Sequence, residues 1–326
     1  MQLSLLDRSR TRSGHPDAAA LAHTVERARW AEEAGYARFW AAEHHGVPGV
    51  ASGSPPVLLA AVGAATRRIR IGSGGVMLPH HAPIVVAEQF RMLEALHPGR
   101  VDLGLGRSLG FTEPVRRALR HLADQPDTFE ADLAELRALL DGTAPVTVRP
   151  AGGGPVPMSV LATGRGLQVA ARLGLPVVLG GPALEAPEVA DAVAAYRRDF
   201  RAYADGDRPR VTVALDAYVA EDLTAARDLA LPEVWAMARS RETGVFEALR
   251  PVEEIRAERW SEQVRRRVDA ALDRAVAGTA AEVRERVADL VSATGADEVL
   301  SSTSTYDREA LRTLDTALGE VVATIG

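Results

Sequence analysis

Short apolar runs alternate along the chain with longer stretches in which apolar residues recur every three or four positions. The short runs predict strands over residues 2–6, 38–42, 70–77, 101–106, 158–162, 176–179, 211–219 and 298–302. The longer stretches predict helices over 17–35, 55–66, 83–96, 113–122, 128–140, 167–173, 187–204, 282–293 and 308–323. Gly35 and the pair Pro98-Gly99 supply stop signals for the first and third of these helices. Strands that alternate with helices imply a parallel sheet, and eight is the count that closes a barrel. The expected fold is therefore α/β, a (β/α)8 TIM-type barrel forming one domain over residues 1–326, with a doubly wound open sheet as the alternative. About residues 223–278 form a charged, helical insertion between strands seven and eight. It is too long for a simple crossover and could serve as a lid.

Composition narrows the chemistry more than the fold. The net charge of -6 makes nucleic acid a poor partner. No apolar run reaches the roughly 18 residues of a membrane span, and residues 1–14 lack a signal-peptide core. With no cysteine there is no disulfide framework and no thiol nucleophile, and the expected location is cytoplasmic. All 38 basic residues are arginine. Without lysine, a Schiff-base aldolase, protein-bound pyridoxal phosphate and a P-loop are excluded.

In a barrel the chemistry sits at the C-terminal ends of the strands, and there this sequence is unusual. Strand two ends in Ala42-Glu43-His44-His45-Gly46, and strand three in Ser73-Gly74-Gly75 followed by His80-His81. Paired histidines raise the question of a metal, but adjacent strand residues face opposite ways, so each pair offers one inward imidazole. No HExxH or HxH is present, and no metal is expected. Glycines within a strand mark a bulge, a packing kink or the close approach of a flat ligand. Strand four ends in Gly104-Leu105-Gly106-Arg107, which is not a dinucleotide fingerprint, because the next glycine is Gly110. Arg107 suits a phosphate or a polarised carbonyl, or else a surface ion pair. Thr163-Gly164-Arg165-Gly166 opens a helix after strand five and offers backbone N–H groups, a hydroxyl and a charge to an anion. The alternative is an ordinary helix start capped by Thr163. Tyr306 closes the polar run after strand eight, a second possible phosphate position.

Taken in order, AEHHG, GSGGVMLPHHAP, AEQFRMLEALHPGRVDLGLGR, VAARLGLP and TGADEVLSSTSTYD resemble the bacterial luciferase-like flavin monooxygenases, above all single-chain members from secondary metabolism. The likeness is strong over residues 1–110 and colinear beyond. It implies a TIM-type barrel, reduced FMN delivered by a separate flavin reductase, dioxygen, a small-molecule substrate and a homodimer. The deazaflavin F420 and hydride transfer are the alternative, and a flavin-binding member without this chemistry is a third reading. The resemblance makes His44 the acid/base near the flavin, with His45, His80 and Tyr306 beside the substrate. It places Ser73, Gly74, Gly75 and Gly106 at the cofactor, with a cis peptide joining Gly74 to Gly75. Arg107 and the turn Thr163, Gly164, Arg165, Gly166 are its phosphate contacts. The chain departs from the pattern at Gly166, where relatives usually carry Ser, at His80, where they commonly carry Asn, and at Gly106, where luciferase has Cys.

Overall fold

The computed structural model describes residues 1–110, 112–121, 126–162 and 164–325. Its first half runs β1 (Gln2–Asp7), α1 (Asp17–Glu33), β2 (Arg38–Ala41), α2 (Pro55–Ala65), β3 (Arg70–Met77), α3 (Pro83–Leu96), β4 (Val101–Gly106), α4 (Glu113–Ala118) and α5 (Phe129–Asp141). It continues through β5 (Met158–Leu161), α6 (Gly166–Leu173), β6 (Val177–Gly180), α7 (Pro182–Glu185), α8 (Val189–Asp199), β7 (Val211–Leu215) and β8 (Ala217–Val219). The last elements are α9 (Leu223–Thr243), α10 (Val252–Ala257), α11 (Glu262–Arg274), β9 (Val276–Gly278), α12 (Ala280–Thr294), β10 (Glu298–Ser301) and α13 (Arg308–Ala323).

Eight parallel strands close into a barrel in the order β1-β10-β7-β6-β5-β4-β3-β2. The local signals explain most boundaries. Gly35 ends the first helical unit in the left-handed region at φ +82°, where a side chain would be strained. Thr279 and Glu282 form a capping box that starts α12. Both strand faces are apolar because helices cover the outside while Trp40, Val178 and Leu300 fill the inside. At the N-terminal end of the barrel, Arg38 bonds to Asp102 at 2.7 Å and to Glu298 at 3.1 Å, and Arg70 reaches Asp102 at 2.6 Å. These pairs satisfy charged groups at the closed end, where conserving structure rather than reactivity is the usual role.

Three sequence expectations change. The run 211–219 is not one strand: β7 stops before Asp216, and β8 leaves the barrel to pair in parallel with β9. The insertion over about 223–278 is helical through α9, α10 and α11 but ends in β9, which pairs with β8. The helix expected over 113–122 is shorter, Glu113–Ala118, with residue 122 outside the described residues, and the one expected over 187–204 is Val189–Asp199. Among the described residues no helix is long and apolar enough to cross a membrane.

Candidate active site

The open end of the barrel carries two cavities. One, of about 940 Å³, lies beyond β3 and β4 and is lined by His81, Arg107, Leu109, Arg116, His121 and Phe129, among others. The second, of about 670 Å³, lies over the ends of β1 and β7, against α9 and α11.

His44 follows β2, and its backbone N–H donates to Ser52 O at 2.9 Å, which pins the strand end. Burial, then the nearby charges of Arg8 and Arg10, push its pKa down to about 4. The imidazole is thus neutral at pH 7 and accepts a proton rather than holding one. The Arg8 guanidinium reaches Glu233 at 3.1 Å and donates to Ser302 O at 2.8 Å, and Arg10 Nε donates to Glu233 at 2.8 Å. Glu233 is thus tied to both arginines, and Glu43 opposes their effect on His44 in part.

The opposite face of the same strand end holds Glu43, which is 2% exposed. Its Oε1 meets His45 Nε2 at 2.7 Å and His81 Nε2 at 2.9 Å, and its Oε2 accepts the Met77 N–H at 3.1 Å. These hydrogen bonds, with those from the imidazoles foremost, outweigh burial and hold the Glu43 carboxyl below its usual range. Strand alternation does supply one imidazole from each pair, but the two converge on a single carboxylate. The three ligand atoms lie within 4.8 Å of one another, a set that could hold a metal ion. The sequence reading missed this cluster, whose only local signal is that Glu43 and His45 are two apart and share a face. His80 turns the other way and meets His121 at 2.5 Å, with its ring 5.5 Å from that of His45. Burial, then the charge of His121, pushes His80 down to about 4.

The glycine-rich end of β3 has a packing reason. The Gly74–Gly75 peptide is cis, and the β3–β4 register shifts between Gly74 and Val76. A Cβ on Gly74 would lie 2.5 Å from Leu6 Cδ1, which would have to shift, and one on Gly75 would lie 2.8 Å from Gly104 O, so Gly75 admits no side chain without moving backbone. Ser73 is fully buried and donates to Gly104 O at 2.8 Å. It belongs to the seam between β3 and β4 rather than to a cavity wall. The space a side chain at Gly106 would need is filled by Met77, whose Cε lies 2.7 Å from that point.

Arg107 does open on the larger cavity. Its Nη2 pairs with Asp127 at 2.7 Å, and both side chains are well exposed, at 37% and 62%. β4 pairs with β5, so the loops that follow them adjoin at the mouth. In that second loop Gly164 and Arg165 are exposed, and Gly166 begins α6. Thr163 lies outside the described residues. Tyr306 is not among the residues lining either cavity. It is turned toward the start of the chain, with its hydroxyl donating to Ser13 O at 3.2 Å.

The sequence model of the luciferase-like monooxygenases matches residues 1–298. The chain belongs to that family. A luciferase-like monooxygenase of Escherichia coli is 36% identical over 315 residues, covering 94% of this chain and 92% of the relative. Among solved structures, apo-MsnO8 superposes with a TM-score of 0.87 at 30% identity, covering 99% of this chain and 98% of that one. More distant likenesses establish the fold alone. The FMN-bound oxygenating constituent of 3,6-diketocamphane monooxygenase has a TM-score of 0.74 at 17% identity, covering 100% and 99% of the two chains. The F420-dependent tetrahydromethanopterin reductase of Methanopyrus kandleri has 0.71 at 14%, covering 100% of each. The protein is thus a luciferase-like oxidoreductase of the monooxygenase class, and its C-terminal barrel face is where that chemistry is to be sought.

Proposed function

We propose that the protein is a flavin-dependent monooxygenase that uses reduced FMN and dioxygen on a small organic substrate. The observation that carries this reading is the cavity of about 940 Å³ at the mouth with Arg107 on its wall; the loop that begins α6 follows β5, the strand paired with Arg107's own β4. A cavity of that size suits a mononucleotide cofactor. Its wall offers the guanidinium groups of Arg107, Arg116 and Arg117 to a phosphate. Reduced flavin, when bound, supplies the electrons that activate dioxygen. Arg107 holds the phosphate, helped by backbone N–H groups of the Gly164–Gly166 turn. The Gly74–Gly75 backbone, bare of side chains, lies at the barrel end where the ring would rest.

His44 handles a proton. Its Nδ1 is sealed from solvent, so exchange with the substrate side runs through Nε2. A neutral imidazole, kept so by burial and by Arg8 and Arg10, takes a proton from the reacting group and returns it, a general acid–base role. Glu43 fixes His45 and His81 and through them the walls of the mouth. Exposed Val57, Met92 and Leu96, on α2 and α3, support a homodimer through that face. A separate reductase delivers the reduced flavin, in the cytoplasm. F420-dependent hydride transfer is the second reading, favoured by the fold shared with the F420-dependent reductase. Equilibrium titration of the purified protein with FMN and with F420 decides between them. FMN binding alone supports oxygenation, and F420 binding alone overturns it.

A further inference from the structure

The smaller cavity is not needed to hold a mononucleotide, yet its wall is chemically biased. Five arginines and two carboxylates line it. Both carboxylates are already engaged within the wall. Glu233 bonds to Arg8 and Arg10, and Asp216 accepts from Ser302 Oγ at 2.6 Å and lies 3.6 Å from Arg8. The wall's own carboxylates are thus committed, and of its other arginines Arg266 already meets Glu262 at 3.6 Å. Two more stand on α9 and α11: Arg241, and Arg267, whose charge also acts on nearby Glu242 without a close ion pair among the described residues. The Nη1 of Arg267 is sealed from solvent and lacks a hydrogen-bond partner, a state that costs free energy unless an acceptor arrives. Between these arginines the wall is apolar, with Val234, Met237, Ala270 and Ala271. The cavity's wall also acts electrostatically on His44. Arg8 on its wall is the largest charged influence on His44, and Glu233 on the same wall interacts with His44 in turn.

We propose that this cavity takes the substrate and that the substrate is an organic monoanion, a carboxylate on an apolar body. The guanidinium groups of Arg241 and Arg267 hold the carboxylate, since their planar forks match its two oxygens. The apolar body lies along Met237 and the two alanines, and its far end points toward the ends of β1 and β2, where His44 stands. This gives the helices between β8 and β9 a function as the specificity wall of the barrel. It rests on the flavin-oxygenase reading of the site and names the class of substrate for it.

The test uses the full chain and two probes of equal length, decanoate and decan-1-ol, titrated by calorimetry. Wild type binds decanoate at least about tenfold more tightly than the alcohol. The double variant Arg241→Gln/Arg267→Gln loses that preference, keeps its affinity for decan-1-ol and melts at the wild-type temperature. Equal affinity of the two probes for wild type, binding of neither, or a decanoate preference that survives in the variant overturns the proposal. FMN affinity is measured in parallel and is unchanged in the variant. If wild type fails to bind FMN but still prefers decanoate, the flavin reading fails and the anion cavity stands. If FMN binds and the probes are not distinguished, only the cavity assignment fails.

Discussion

Replacing Arg107 with alanine separates a phosphate contact from a surface ion pair. In the free protein Arg107 is paired with Asp127 at 2.7 Å, and the two side chains are 37% and 62% exposed. A pair this exposed contributes about 0–1 kcal/mol to stability, so Arg107→Ala shifts the melting temperature little. A charge-assisted bond to a flavin phosphate contributes more, about 1–3 kcal/mol. That loss weakens FMN binding by roughly 5- to 150-fold. Asp127 has the opposite effect, because its carboxylate competes with the phosphate for the same guanidinium. Asp127→Asn therefore tightens FMN binding, by up to about fivefold if the competing pair is worth up to about 1 kcal/mol. Quenching of FMN fluorescence on titration with protein measures both, and both effects shrink as salt is raised. An unchanged FMN affinity in Arg107→Ala, or a weakened one in Asp127→Asn, would refute the assignment of Arg107 to the phosphate.

Four further outcomes follow from the same geometry. His44→Ala keeps the fold and FMN affinity but lowers steady-state turnover by ~10²–10⁴; normal turnover, or loss of flavin binding, contradicts the proton-handling role. His23 is pushed down to about 3 by burial and His44 to about 4. The unfolded chain thus binds more protons below about pH 6.5, and stability rises with pH across that window by up to ~1.4 kcal/mol per unit for each; chemical denaturation at pH 4.5 and 7 reads this, and equal stability at the two counts against it. Arg27 is buried between Asp315, which it meets at 2.8 Å, and Asp7 at 2.9 Å. Arg27→Met leaves two carboxylates unpaired and costs about 3–5 kcal/mol, seen as a large fall in melting temperature; a fall of less than about 1 kcal/mol on denaturant unfolding shows that the network carries no net stability. The Glu43 carboxylate is already satisfied by two imidazoles and a backbone N–H, so dialysis against EDTA leaves melting temperature and FMN affinity unchanged; a drop in either reveals a bound metal.

The barrel was legible because its signals are local. The strands are short apolar runs, and those of β4 and β6 are closed by glycine, while the helices repeat at 3.6. Where the reading slipped, the cause was tertiary. Nothing in 211–219 announces that the chain turns out of the barrel at Asp216, since the partner that draws β8 away is Val276–Gly278, more than fifty residues on. The site divides in the same way. His44 and Arg107 are visible as polar residues at strand ends. That Glu43 gathers His45 and His81, or that Arg107 finds Asp127, depends on loops that meet only in the folded chain. The low pKa of His44 was also hidden, because its burial, and the approach of Arg8 and Arg10 from the loop after β1, arise only in the folded chain. Ser73 and Gly106 read as cofactor residues; in the fold Ser73 bonds across the β3–β4 seam and Met77 packs beside Gly106.

The most direct measurement is a crystal structure of the protein soaked with FMN. The account predicts density for the phosphate at Arg107 and the Gly164–Gly166 N–H groups, with the ring over Gly74–Gly75 and within reach of His44. FMN bound elsewhere, or a site that takes F420 and leaves FMN unbound, would contradict it.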